Sequence, residues 1–163
     1  DLARKLTNTY TFWRYGTLDK AFSAMLTDYY FSCGAMRDAQ ALSRYVPTFH
    51  YEFTEPDTPA PVDPLMSLGA FHGAELAYLF QNNLIVTTPL PPLNSAQRKL
   101  SEQMIRFWGR FAATGQPNSF LPPYWPLHRE GRTSSLNFNS NGLSLFGAPA
   151  FKQDHQCALF DES

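Results

Sequence analysis

The segment GAFHGAELAYLF, residues 69–80, places a histidine between two glycines, just before an amphipathic helix is predicted to begin. The residues before it are typical of a loop, and from Ala74 onward the apolar residues recur at helical spacing. Glycine on both sides lets the backbone turn sharply and keeps bulk away from the imidazole. The sequence therefore predicts that His72 lies at a loop-to-helix junction, the kind of position where catalytic groups concentrate.

Further segments of the chain follow in a characteristic order. They are DYYFSC at 28–33, FHYEF at 49–53, RFWGRFAATGQPN at 106–118, Trp125–Pro126 and HQC at 155–157. With the histidine segment they resemble the type-B carboxylesterase, lipase and cholinesterase family of α/β-hydrolases, from about Asp28 to Asp161. The resemblance implies an α/β fold in which residues 1–163 form a single C-terminal segment of an α/β-hydrolase domain. We expect helices packed on part of a mainly parallel central sheet, with a short β-hairpin near the C-terminus.

The same resemblance implies that His72 is the catalytic histidine of a Ser-Glu/Asp-His triad that hydrolyses carboxylic esters. Phe71 and Leu76 are then candidates for the wall of an acyl or alcohol pocket. Gly73 provides the turn, and Glu75 is a candidate for supporting the loop through hydrogen bonds. As a metal pair, His72 and Glu75 supply only two ligands, so we expect neither a metal nor another cofactor.

The rest of such a triad is not found in this sequence. The family's nucleophile is a serine in G-x-S-x-G, followed along the chain by the acidic residue and then the histidine. No G-x-S-x-G occurs here, because Ser144 in GLSLF lacks the closing glycine and follows His72. We therefore expect an N-terminal polypeptide of the same enzyme to supply the serine, the oxyanion hole and the acid. The alternatives are a non-catalytic binding or adhesion module, or an inactive fragment.

The two cysteines, Cys33 and Cys157, lie far apart in the sequence. From the residues alone they could be buried free thiols. The resemblance implies a disulfide between them, and such a bridge would indicate an oxidising, secreted setting.

Composition narrows the possible partners. The chain has 13 Lys+Arg against 14 Asp+Glu and no run of like charge, so it offers no clustered basic surface for nucleic acid or a membrane. No apolar stretch approaches the ~18 residues that a transmembrane helix needs. Composition therefore predicts no nucleic-acid partner and no transmembrane segment, while the family resemblance implies a small-molecule or lipid ester as substrate.

Local signals predict the elements near the N-terminus. Thr17 is the predicted N-cap of a helix, and Gly34 is expected to separate it from a second helix that Pro47 ends. The first helix carries an apolar stripe that we expect to face the core. Its members are Leu18, Phe22, Met25, Leu26 and Tyr29.

The second half of the chain has clearer signals. Residues 49–53 alternate as in a strand whose aromatic face is buried, with His50 as a structural residue. Asn94 and Gln97 predict a capping box, and Gly115 predicts the end of the same helix. The apolar stripe of that helix is predicted to be Leu100, Met104, Trp108 and Phe111. Residues 136–145 are typical of a hairpin.

Overall fold

The computed structural model describes residues 1–59, 69–81, 90–120, 122–129 and 132–161. The chain divides into two compact units, each built from segments that are distant in sequence. Unit 1 comprises residues 1–50, 127–134 and 146–163, and unit 2 comprises residues 51–126 and 135–145. Much of the predicted loop before the histidine segment, residues 60–68, lies outside the described residues.

The described elements alternate between helices and short strands. The helices are α1 (Leu2–Thr9), α2 (Phe12–Tyr15), α3 (Leu18–Thr27), α4 (Cys33–Leu42), α5 (Leu76–Phe80), α6 (Ser95–Thr114) and α7 (Ala148–Asp154). The strands β1 (His50–Phe53), β2 (Thr133–Phe138) and β3 (Ser144–Gly147) form one sheet in the order β1-β2-β3. Among these helices, none is long and apolar enough to cross a membrane.

The sheet combines two strand directions. The backbone N–H of His128 donates to Thr48 and that of Thr54 donates to Phe138, so β1 and β2 advance together and run parallel. Strands β2 and β3 are joined by only five residues, and so short a connection suits antiparallel strands. The predicted hairpin is therefore confirmed. The buried face of β1 was predicted wrongly, because His50 is its most buried residue and the aromatic side chains are only half-buried.

Helices α3 and α4 form one continuous helical run. The predicted N-cap is confirmed, since the Thr17 hydroxyl accepts a hydrogen bond from the Lys20 N–H. The predicted break at Gly34 is wrong: a π-helical turn at Asp28–Ser32 leads directly into α4. A glycine inside a helix costs only about 1 kcal/mol relative to alanine, which the buried Cys33 beside it readily offsets.

The apolar stripe of α3 meets the core of unit 1 only in part. Leu18 is 70% exposed, and Phe22 and Tyr29 are also exposed, so their predicted burial is wrong. Met25 is partly buried against the core, as predicted. Instead α3 buries Ala21, whose small side chain lets the helix approach its neighbours closely. The larger Leu18 and Phe22 consequently stay at the surface of unit 1.

That core surrounds a disulfide. Tyr10, Ala21 and Phe160 pack with Cys33 and Cys157, and the two sulfur atoms are bonded at 2.01 Å. The disulfide implied by the family resemblance is therefore confirmed. It links α4 to the C-terminal end of the described chain, across a sequence separation of 124 residues.

Unit 2 is organised around α6. Its capping box is confirmed, with the Asn94 side chain accepting from the N-terminal backbone, and Gly115 ends the helix in the left-handed conformation at φ 71°. The predicted stripe is correct for Leu100 and Met104, but Phe107 is buried where Phe111 was expected. The spacing i, i+4, i+7 keeps these three on one face of a helix with 3.6 residues per turn.

An aromatic cluster fills the interior beside α6. Its rings lie 5.0–5.8 Å apart between centroids and mostly meet edge to face, the arrangement that ring quadrupoles favour. The members are Tyr51, Phe107, Trp108, Trp125 and Phe138.

Candidate active site

The turn that carries His72 is built by two glycines. Gly69 has φ 61° and Gly73 has φ 83°, both in the left-handed region that glycine adopts without strain. Inside the turn the N–H of Ala74 donates to Phe71 at 3.0 Å, and the N–H of Leu76 donates to Gly73 at 3.1 Å. Helix α5 follows at once, so the predicted loop-to-helix junction is confirmed. The His72 side chain is exposed, where it can meet a reactant.

The predicted neighbours of His72 occupy both sides of this turn. Phe71, Gly73 and Leu76 are half-buried. Their part in a substrate pocket stays a prediction. The carbonyl of Glu75 accepts from the N–H groups of residues 78 and 79, both at 3.0 Å, and so fixes the first turn of α5. Burial, with the charge of Glu75 as a second cause, raises the pKa of Tyr51 to about 12.

Two buried hydroxyl groups fix the histidine turn and α5 to the rest of unit 2. The Thr58 hydroxyl donates to the carbonyl of Gly69 at 2.5 Å, three residues before His72. The Ser101 hydroxyl, on α6, donates to the carbonyl of Tyr78 at 2.5 Å and accepts from the Gln81 side chain at 3.2 Å. The turn is therefore attached upstream to the segment after β1 and downstream to α6.

The segment that carries Thr58 also contains a buried carboxylate. Glu55 is 2% exposed and accepts from the backbone N–H of Ser140 at 2.8 Å and from the Gln97 side chain at 3.4 Å. Gln97 also donates to the carbonyl of Asp57 at 2.7 Å. Burial, followed by the charges of Glu55 and Asp57, raises the pKa of Tyr78, so its hydroxyl stays protonated.

A second histidine, in unit 1, has a carboxylate partner. The Nδ1 atom of His155 lies 2.6 Å from Asp28, which also accepts from the Tyr10 hydroxyl at 2.8 Å. A carboxylate beside Nδ1 is the relation that a serine hydrolase uses to orient its base. Here Asp28 is 3% exposed, and the His155 carbonyl lies 3.5 Å from the Cys33 sulfur. The pair thus packs beside the disulfide.

His50 is a third candidate by residue type alone. It is 6% exposed and lies edge to face with Phe151 at 5.3 Å and Phe146 at 6.1 Å. The pKa of His50 is lowered to about 4, mainly by burial and further by the charges of His128 and His155. Its imidazole is therefore neutral at neutral pH, and its burial fits the structural role predicted for this strand residue.

Residues of the types that bind metals do not form a cluster in the part of the chain that the structure describes. No group of three or more His, Cys, Asp or Glu residues there is arranged to hold an ion.

Comparison with known proteins assigns the family. A profile described as "Carboxylesterase family" matches residues 1–159, nearly the whole chain. The chain belongs to the carboxylesterase family. It is 32% identical to the pyrethroid hydrolase Ces2e of Rattus norvegicus over 68% of this chain and 19% of that protein. It is 30% identical to the acetylcholinesterase of Leptinotarsa decemlineata over 94% of this chain and 25% of that protein.

Solved structures agree with this assignment. A PNB esterase superposes on 96% of this carboxylesterase-family chain with a TM-score of 0.67 at 25% sequence identity. A thermophilic PNB esterase gives a TM-score of 0.68 over 98% of the chain. The chain covers 30% of each of these structures, so it corresponds to part of an α/β-hydrolase fold.

The carboxylesterase-family motifs led to His72 but not to the residues that fix its turn. Thr58 lies in the proline-rich stretch and Ser101 is one polar residue on a long helix. Their partners are 11 and 23 residues away in sequence, and no local pattern links them. The Asp28–His155 pair, separated by 127 residues, was missed for the same reason.

Proposed function

We propose that this chain supplies the catalytic histidine, His72, of a Ser-Asp/Glu-His triad in a carboxylic-ester hydrolase. The observation that carries the proposal is the position of His72, an exposed imidazole on a turn between two glycines of positive φ, in a carboxylesterase-family chain. His50 and His155 are poorer candidates. His50 is buried against aromatic rings, and His155 packs against Phe151 beside the disulfide.

The chemistry assigns a role to each nitrogen of the imidazole. Nε2 takes the proton from the serine hydroxyl as that oxygen attacks the ester carbonyl, and then gives the proton to the leaving alcohol. The acidic residue holds the N–H at Nδ1 and stabilises the imidazolium that forms. The imidazole must begin neutral, so activity is expected at neutral to alkaline pH.

The serine, the oxyanion hole and the acid are assigned to an N-terminal polypeptide of the same enzyme. No G-x-S-x-G occurs in the 163 residues, and the chain spans only 19–30% of the relatives compared above. The exposed apolar side chains of unit 1 support this assignment, because a large apolar surface marks a site of contact with other protein. They are Leu2, Phe12, Trp13, Leu18, Phe22, Tyr29, Tyr30, Phe31, Leu42, Tyr45 and Val46.

The proposed substrate class is a small-molecule or lipid ester. The names of the relatives include pyrethroid, cocaine, acetylcholine and acylcarnitine hydrolysis, so family membership alone does not fix the acyl or alcohol group. The Cys33–Cys157 bridge supports a secreted protein, since disulfides persist in oxidising compartments.

The first test is labelling of the purified material with a serine-directed fluorophosphonate, followed by a reducing denaturing gel. We expect the label on a serine outside this chain. In the complete enzyme, His72→Gln should slow labelling by at least about 10⁴-fold, because losing the histidine of a triad costs more than losing its acid. His155→Gln is the matched control and should stay within about threefold of the parent.

Three results would contradict the proposal. Normal labelling of the His72→Gln enzyme would remove His72 from the triad, and loss of labelling in a folded His155→Gln enzyme would move the role to the Asp28–His155 pair. No label on any parent polypeptide would favour the non-catalytic binding module.

A further inference from the structure

We propose that Thr58 and Ser101 are positioning residues for His72, each acting through one backbone carbonyl of the histidine turn or of α5. This inference rests on the proposed function of His72. It concerns a different part of the molecule from the triad, namely the two buried hydroxyl groups that fix the peptide on either side of the imidazole.

The need for such residues follows from the shortness of α5. A helix of five residues cannot form by itself, because nucleation costs more than so few hydrogen bonds return. The turn before it contains two glycines, which lose the most backbone freedom when ordered. Nothing in the local sequence can therefore keep the imidazole in one place, and tertiary contacts must do so.

Thr58 supplies the upstream contact. Its hydroxyl is 2.5 Å from the carbonyl oxygen of Gly69, and the Thr58 side chain is buried. The carbonyl of Glu55 lies 3.1 Å from the same hydroxyl, which ties Thr58 to its own segment. Because Gly69 has a left-handed φ and no side chain, its carbonyl is the group through which a neighbour can fix this point of the turn.

Ser101 supplies the downstream contact. It is fully buried on α6, the longest helix described, and its hydroxyl donates to the Tyr78 carbonyl at 2.5 Å. The last carbonyls of a helix have no partner within the helix, so this hydrogen bond satisfies one of them. Gln81, in the left-handed conformation, ends α5 and donates its side-chain amide to the same hydroxyl.

Both hydrogen bonds connect the histidine turn and α5, directly or through one more residue, to α6. The segment that carries Thr58 is attached to α6 by Gln97, whose amide donates to Asp57, and to the hairpin by the buried Glu55, which accepts from Ser140. The upstream and downstream attachments thus both reach α6, so the turn is fixed from two sides to one element. A precise imidazole position matters, since a displacement of about 1 Å can cost about 10²-fold in rate.

The test measures backbone hydrogen exchange in the chain itself. Thr58→Val keeps the shape but removes the hydroxyl, and Thr58→Ser keeps the hydroxyl. We expect Thr58→Val to speed exchange at the Ala74 and Leu76 amides about tenfold, the effect of losing one net hydrogen bond, while Thr58→Ser stays within about twofold of the parent. Thr54→Val is the matched control. It removes the hydroxyl that donates to Asn137 and accepts from Asn139 in the same unit, and it should leave these amides unchanged.

Ser101→Ala provides an independent variant. We expect it to speed exchange about tenfold at the Leu79 amide of α5 and at the Gln81 amide that caps this helix, with the α6 amides near the cap at Asn94 unchanged. Equal acceleration of all amides in unit 2 would show general destabilisation instead and would overturn the positioning role. Unchanged exchange in Thr58→Val and Ser101→Ala, or loss of protection in Thr58→Ser, would also overturn it.

A kinetic measurement on the complete enzyme links the contacts to catalysis. Thr58→Val and Ser101→Ala should lower kcat by about 10- to 100-fold and leave KM within about twofold, because an imidazole out of position affects the chemical step. Unchanged kcat in both variants would overturn the inference even if exchange had changed. The proposed function fails separately, if His72→Gln remains fully active while the exchange results above are obtained.

Discussion

Lowering the pH from 7 to 5 is expected to reduce the free energy of unfolding by about 2 kcal/mol through His50 alone. The perturbation acts on an imidazole that is 6% exposed and packed against Phe146 and Phe151. The folded chain lowers the pKa of His50 from 6.5 to about 4, first by burial and then by the charges of His128 and His155.

The direction follows from proton linkage. A histidine whose pKa is lower in the folded state than in the unfolded state binds more protons when the chain unfolds. The contribution of the neutral His50 to the free energy of unfolding is therefore complete above pH 6.5 and is lost as the pH falls toward 4. The full difference of about 2.5 pKa units corresponds to about 3.4 kcal/mol at 1.36 kcal/mol per unit, of which about 2 kcal/mol is lost by pH 5.

The assay is urea unfolding of the parent, His50→Phe and His50→Gln at pH 7 and pH 5, followed by circular dichroism. Neither replacement titrates in this range, so each variant should lose about 2 kcal/mol less than the parent between the two pH values. The two replacements differ in shape, and their absolute stabilities can differ while their pH dependence agrees. If both variants lose as much stability as the parent, the assignment of this pH dependence to a buried neutral His50 is wrong.

Three further predictions concern stability, each measured by urea unfolding. Replacing Cys33 and Cys157 together by alanine should cost about 5 kcal/mol, because the bridge spans 124 residues; a loss below about 1 kcal/mol would contradict this reasoning. Asp28→Asn should cost about 3 kcal/mol and Tyr10→Phe only about 1 kcal/mol, since Asp28 contacts both the buried Tyr10 hydroxyl and the half-buried His155 imidazole; equal losses would argue against a shared carboxylate. Asn94→Ala should cost about 1 kcal/mol by removing the cap of α6, and Asn94→Ser should restore most of it.

The features that could be predicted are those in which cause and effect lie within a few residues. The capping box at Asn94 and Gln97, the left-handed Gly115 and the hairpin after β2 each depend on local hydrogen bonds and on backbone freedom. The glycine-flanked turn at His72 is of this kind too. The disulfide was implied by family resemblance, because two cysteines alone leave free thiols as an alternative.

The partly exposed stripe of α3 shows that the local sequence pattern was insufficient to predict which of its side chains are buried. Periodicity correctly predicted a helix after Thr17, but it cannot tell which apolar side chains meet a core and which stay exposed. Leu18 and Phe22 are exposed, whereas Ala21, with the smallest side chain, is buried. Gly34 was misjudged for a related reason, since packing around Cys33 outweighs the weak preference of one residue against helix.

The sequence by itself determined the cap at Thr17, both ends of α6, the hairpin, the place of His72 on a turn and, through its motifs, the carboxylesterase family. Each depends on residue type and short spacing. Only the tertiary structure decided which buried hydroxyl groups fix that turn, that Asp28 and His155 pair across 127 residues, and that His50 is buried with a lowered pKa. Those properties depend on distances between residues far apart in the chain, and such distances exist only once the chain has folded.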